Sequence, residues 1–205
     1  MGLQNFIWNE VARGTGTLPD GRVTVSSTVE WASPDFRDDS GRMPPVASEH
    51  WSVTVYPATD RHRLIDFEIQ LRALVPDLHI GGSEAVKGYG GFSPRIRLNS
   101  DQTFETESGV VEPLKTAIAD GPWVNIQDGR TGFAILQSAA NPNFPQPWIL
   151  RKNRSMQNAV YPGADPVPLS QTSPTILRYR LVIHRGKFMA EEIRTLQTEF
   201  DSKTR

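Results

Sequence analysis

Apolar and polar residues alternate along most of this chain. In RVTVSSTVEW (22–31), Val23, Val25 and Val29 recur at even spacing, the period of a β-strand with one buried face. WSVTVYP (51–57) alternates Trp51, Val53 and Val55, and stops at Pro57. The longest run, HRLIDFEIQLRAL (62–74), sets Ile65, Phe67, Ile69, Leu71 and Ala73 on one face. Asp66, Glu68, Gln70 and Arg72 fall on the other. Such regularity predicts a long central strand in an antiparallel sheet with one polar face.

Further strands are expected at 94–98, 122–127, 132–137, 147–151 and 176–186. QDGRTG (127–132) places an Asp-Gly pair between two of them, a hairpin signal. The polar, Pro/Gly-marked stretches 33–45 and 161–174 read as loops. Only the end reads as helix. KFMAEEIRTLQTEFDSK (187–203) repeats Phe188, Met189, Ile193, Leu196 and Phe200 at spacings of three and four. The expected fold is an all-β antiparallel sandwich with one C-terminal helix, formed as a single domain over residues 1–205.

Composition narrows the chemistry. The absence of cysteine excludes disulfides, thiolate metal sites and a cysteine nucleophile. A net charge of −1 gives no electrostatic reason to expect nucleic acid or a membrane surface as partner. No apolar run approaches the roughly 20 residues of a membrane span. The first residues lack the pattern of a signal peptide, so the chain as given favours the cytoplasm. Neither a cofactor nor a metal is expected: His50, His62, His79 and His184 show no zinc-site spacing, and DFRDD (35–39) lacks the pattern of a calcium loop.

KGYGGFSPRIRL (87–98) is rich in glycine, but it runs into Ser-Pro and a β-type segment rather than a helix. That context rules out a phosphate loop. It reads as a bend plus strand, with Arg95 and Arg97 on one face and Lys87 and Tyr89 in the bend. In 121–151, Trp123 and Trp148 each follow a proline at the start of a strand. NPNFPQPW offers Asn141, Asn143 and Phe144 as exposed or half-exposed groups. Aromatic faces beside amides and guanidiniums suit sugar rings. The alternative for each tryptophan is a place in the core.

RLIDFEIQLRAL, EAVKGYGGFSPRIRL and GPWVNIQDGRTGFAILQSAANPNFPQPWILR together resemble the bacterial family labelled PmoA, or "methane oxygenase PmoA". The resemblance covers about residues 5–185 and is most specific in the last segment. Members of that family are soluble domains often encoded among sugar-catabolism genes. The resemblance therefore implies a β-sandwich akin to galactose mutarotases and a carbohydrate-related role. In the family a further N-terminal half, ending in a His-rich segment, precedes the stretch that GLQNFIWNE represents here. The resemblance thus implies that histidines of that half are not supplied by this chain.

Two functions follow. One is an enzyme acting on a sugar or sugar derivative: mutarotase-like, hydrolase or lyase. It needs a general acid and a general base, for which His62, Glu68 and Glu84 are the candidates. Lys87, Tyr89, Arg95, Arg97, Trp123, Asn141, Trp148 and Arg151 are the candidates for binding a small sugar or sugar acid. The other is a non-catalytic carbohydrate-binding sandwich using Trp123, Trp148 and Arg151. The helix is expected to pack on the sandwich or on a second subunit, so a homo-oligomer is also an expectation.

Overall fold

A computed structural model describes residues 6–82, 88–99, 101–114, 116–119, 121–152 and 155–204. In chain order the first strands are β1 (Ile7–Thr17), β2 (Val23–Ala32), β3 (Ala47–Val55), β4 (His62–Ala73) and β5 (His79–Ile80). Next come β6 (Gly91–Phe92), β7 (Arg95–Ile96), β8 (Thr103–Thr106), β9 (Gly109–Val111), β10 (Trp123–Gln127) and β11 (Thr131–Gln137). Then follow β12 (Trp148–Ile149), β13 (Ser155–Met156), β14 (Asn158–Val160), β15 (Val167–Pro168), β16 (Thr175–Arg185) and the helix α1 (Ala190–Thr204).

Nine strands form one antiparallel sheet in the order β1-β2-β3-β4-β16-β11-β10-β8-β9. The regular alternation of β4 places it near the centre, paired with β3 on one side and β16 on the other. The β10–β11 hairpin turns where the Asp-Gly pair predicts. Asp128 Oδ1 accepts the backbone N–H groups of Arg130 and Thr131, each at 2.8 Å, and Gly129 supplies a φ of 82°. Those two N–H groups hold the Asp128 carboxyl down at about 2.

The second layer is made of short sheets, β12-β14-β6, β13-β7 and β15-β5, laid over one face of the nine-stranded sheet. Trp148, Leu150, Ala159 and Tyr161 from this layer pack against Val124, Ile126, Phe133, Ile135 and Tyr179 of the large sheet. The glycines of the 87–98 segment serve this layer. Gly91 has φ 76°, and a Cβ on Gly90 would lie 2.9 Å from the Tyr161 carbonyl oxygen, so only glycine permits that approach. β7 starts directly after Pro94, as expected for a residue without a ladder donor.

α1 covers the opposite face. Ile193, Leu196 and Phe200, with Phe188 just ahead of the helix, pack on Trp123, Ala134, Leu136 and Val182. Met189, expected on the packed face, is instead 55% exposed, because the helix begins only at Ala190. The Gln127 amide fastens the approach to the helix. Its Oε1 accepts the Phe188 N–H and its Nε2 donates to the Phe188 carbonyl, both at 2.9 Å. The helix lies on the sheet of its own chain rather than waiting for a second subunit.

Three strands of the large sheet lie outside the expected set, although β8 does alternate, burying Phe104 and Thr106. β1, β8 and β9 lie toward the two margins of the large sheet. β1 is exposed at nearly every position, so neither face needs an apolar row.

Phe200 is 1% exposed, with the Arg180 guanidinium 4.7 Å from its ring centroid. Phe200→Ala is expected to cost about 3–5 kcal/mol. Urea unfolding measures this directly, and a loss below about 1 kcal/mol would mean the helix is not docked as described.

Candidate functional site

The short sheets cover the β4-to-β8 side of the large sheet and reach β3 only at its start, where Ala47 packs with Leu78 and Leu169. At the seam lies a cavity of about 710 Å³. Its floor is the core-facing side of β2–β4 and β16: Trp31, Glu49, Ile69, Leu71 and Leu177. One wall is the 76–82 segment, with Asp77 and His79. The other is the 161–166 turn, with Tyr161, Pro162 and Pro166. Phe6 and Phe36 lie at its margin, and Phe6 meets Trp31 edge-on with ring centroids 5.6 Å apart.

Glu49 is the distinctive group. Along β3 the core-facing phase runs Ala47, Glu49, Trp51, Val53, Val55, so a carboxyl stands where an apolar residue is expected. Burial pushes its pKa above the ordinary 4.5, and the Trp31 indole opposes that shift only partly. Trp31 Nε1 donates to Glu49 Oε2 at 3.0 Å. Glu49 Oε1 has no hydrogen-bond partner among the described residues. His79 Nδ1 lies 2.9 Å from the Asp77 carbonyl oxygen, which fixes Nδ1 as the donor. That contact leaves Nε2 as the free end of the ring, without a partner among the described residues. The ionisable side chains of the lining, among the described residues, are thus Glu49, Asp77, His79 and Tyr161. A raised carboxyl, an open imidazole nitrogen and aromatic walls can bind a polyol and move protons on it.

The residues singled out by sequence fall elsewhere. His62 and Glu68 both project on the helix side of β4, six residues apart, or roughly 20 Å along a strand. They do not converge. The His62 ring meets Phe188 edge-on at 6.1 Å. Glu68 is fully engaged: Gln70 donates to Oε1 at 2.7 Å and Arg178 to Oε2 at 2.8 Å. Burial would raise its pKa, but those two hydrogen bonds outweigh it and hold the carboxyl below its ordinary value. Glu84 and Lys87 lie outside the described residues. Tyr89, Arg95 and Arg97 are exposed and none lines the cavity.

Trp123 and Trp148 are core residues, 1% and 0% exposed, and Trp148 Nε1 donates to the Gly121 carbonyl at 2.9 Å. Asn141, expected exposed, is buried because its amide brackets Arg178. Its Nδ2 donates to the Arg178 carbonyl, and its Oδ1 accepts the Arg178 N–H at 2.7 Å. Arg151 is half-buried and its backbone is held by Gln157 on both sides. Among the described residues no three His, Asp or Glu side chains come together as a metal site, and no helix is long and apolar enough to cross a membrane.

The electrostatics of Glu49 are directly measurable. Its carboxyl carbon is expected to titrate above the ordinary glutamate value by NMR, and Trp31→Phe, which removes the N–H donor, is expected to move it higher still. Because the folded pKa is the raised one, protonated Glu49 favours the fold below the ordinary value. That contribution is lost as pH rises through the raised value. Glu49→Gln is therefore expected to leave the neutral-pH melting temperature equal or higher. An ordinary Glu49 titration, or a melting temperature lowered by Glu49→Gln, would contradict the burial described.

No curated protein and no solved structure matches the chain. The model of one family matches residues 11–198, nearly the whole length, so the chain belongs to the family of unknown function DUF6807.

Proposed function

We propose that the protein binds a sugar or sugar derivative in the Glu49 cavity and acts on it by proton transfer. The observation that carries this reading is Glu49 itself, a carboxyl with a raised pKa facing an aromatic-lined cavity of about 710 Å³. The PmoA resemblance, with its expected relation to galactose mutarotases, points to the same ligand class. A mutarotase-like step needs one group to take the proton of the anomeric hydroxyl and another to protonate the ring oxygen as the C–O bond opens. Glu49, whose carboxyl burial pushes up, suits the acid, and His79 through Nε2 suits the base. Trp31 offers a flat face for the C–H side of a sugar ring while its N–H holds the acid in place. This assigns the chemistry to residues other than His62, Glu68, Arg95 and Arg97.

The lining favours neutral sugars over sugar acids, since among the described residues no lysine or arginine lines the cavity to pair with a ligand carboxylate. A non-catalytic binder would use the same walls without proton transfer. Isothermal titration with paired neutral hexoses and their uronic acids tests the site. The expected result is tighter binding of a neutral hexose. Trp31→Ala is expected to weaken it about tenfold or more, with Arg95→Ala and Arg97→Ala unchanged. Polarimetry on freshly dissolved anomers then separates the two readings: accelerated mutarotation that Glu49→Gln abolishes supports the enzyme, and binding without turnover supports the binder. Binding that depends on Arg95 or Arg97 and not on Trp31 would overturn the site.

A further inference from the structure

β1 is an edge strand of 11 residues, paired among the described residues with β2 on one side only. It exposes large apolar side chains, with Ile7 43%, Trp8 63% and Val11 54% exposed. Between Ile7 and Thr17 it has no proline and no lysine, two residues that commonly blunt an open edge. Its two charges, Glu10 and Arg13, cancel and bond to each other at 2.7 Å at the surface. Glu10 Oε1 also accepts the Ser27 hydroxyl at 2.7 Å, which holds the carboxylate in place, whereas the Arg13 side chain is 69% exposed and can turn to a second carboxylate.

The register of β1 is unusual. Pairing with β2 runs regularly from Ile7 to Glu10 and again from Ala12 to Thr17, with a bulge at Val11. The bulge exchanges the faces. Trp8 and Glu10 lie opposite Trp31 and Val29, on the cavity side. Beyond the bulge it is Arg13 and Thr15, opposite Ser27 and Val25, that lie on that side. Ile7, Asn9, Ala12, Gly14 and Gly16 take the helix side.

From this we infer that β1 pairs with β1 of a second copy, antiparallel about a two-fold axis between Val11 and Ala12, joining two nine-stranded sheets edge to edge. A two-fold axis perpendicular to a sheet keeps each residue on its own face, so paired positions must share a face. About this axis Glu10 meets the second copy's Arg13, Trp8 meets Thr15, Asn9 meets Gly14 and Ile7 meets Gly16. Every one of these pairs shares a face, and does so only because of the bulge. Each opposite charge finds its complement, and each large side chain faces a small one. The strand is self-complementary in charge, size and facing, which selects a second copy over an unrelated strand.

Light scattering after size exclusion, from micromolar to near-millimolar protein, tests this. The expected mass tends to twice 22.9 kDa as concentration rises. Trp8→Lys and Glu10→Arg are each expected to weaken the dimer about tenfold or more, the second by setting like charges across the axis. Adding Arg13→Glu to Glu10→Arg restores it. Circular dichroism confirms that each variant is folded. Since the chain has no cysteine, Val11→Cys with a short bis-maleimide is expected to give a covalent dimer. A chain that stays monomeric at every concentration overturns the inference. So does a dimer that Glu10→Arg leaves intact, or one that the Val11→Cys variant cannot cross-link.

Discussion

Arg180 has no exposed side-chain surface, so its charge must be met inside the protein. Asp66 on the neighbouring strand meets it twice, accepting from Nε at 2.6 Å and from Nη2 at 2.8 Å. Asp66 also accepts the Tyr56 hydroxyl at 2.8 Å, and the guanidinium lies over the Phe200 ring. One ion pair therefore ties β3's end, β4, β16 and α1 together. A slip of one residue that turned β16 over would carry Arg180 into the apolar layer beside Phe67, and would move Leu177 and Tyr179 out of that layer to the helix side. The pair's role is to forbid that slip. Its net contribution to stability is a separate matter, since desolvation offsets much of the attraction.

With that register set, the two faces of the large sheet have different fates. From β16 to β10 both are buried, one under the short sheets and one under α1. Toward β1 the second layer stops and the side chains become half-exposed. The cavity forms where coverage ends, because the core-facing phase of β2–β4 continues past the last short strand. Glu49 and Trp31 sit at that boundary: buried enough to raise the carboxyl, open enough to meet a ligand.

The parts of the fold that bury one face were legible in the residues. β4 and α1 carry clean periodicity because burial selects one face, whereas β10, β11 and β16, buried on both faces, stand out as strand-like runs. β1 was not, since an edge strand exposed on both faces, with Gly14 and Gly16, has no such constraint. The site was misplaced for a related reason. Arg95, Arg97 and Glu68 attract notice as charges, yet Arg95 and Glu68 lie in the polar phase of their strands, where charge is ordinary, and Arg97 is an exposed residue just past β7. Glu49 is the exception to its own strand's phase, and that break in alternation was present in SEHWSVT as a usable signal. What the residues alone could not supply was Asp77 and His79, which the 76–82 segment brings to the cavity by tertiary packing.

The proposed ligand site lies against Trp31 and Glu49, away from the buried Trp123 and Trp148. Five tryptophans give five indole N–H signals in a nitrogen-labelled sample. Titration with a neutral hexose that binds by calorimetry is expected to shift the Trp31 signal, whose N–H bonds Glu49, and to leave those of Trp123 and Trp148 in place. A Trp31 signal that stays fixed while Trp123 or Trp148 moves would contradict the account.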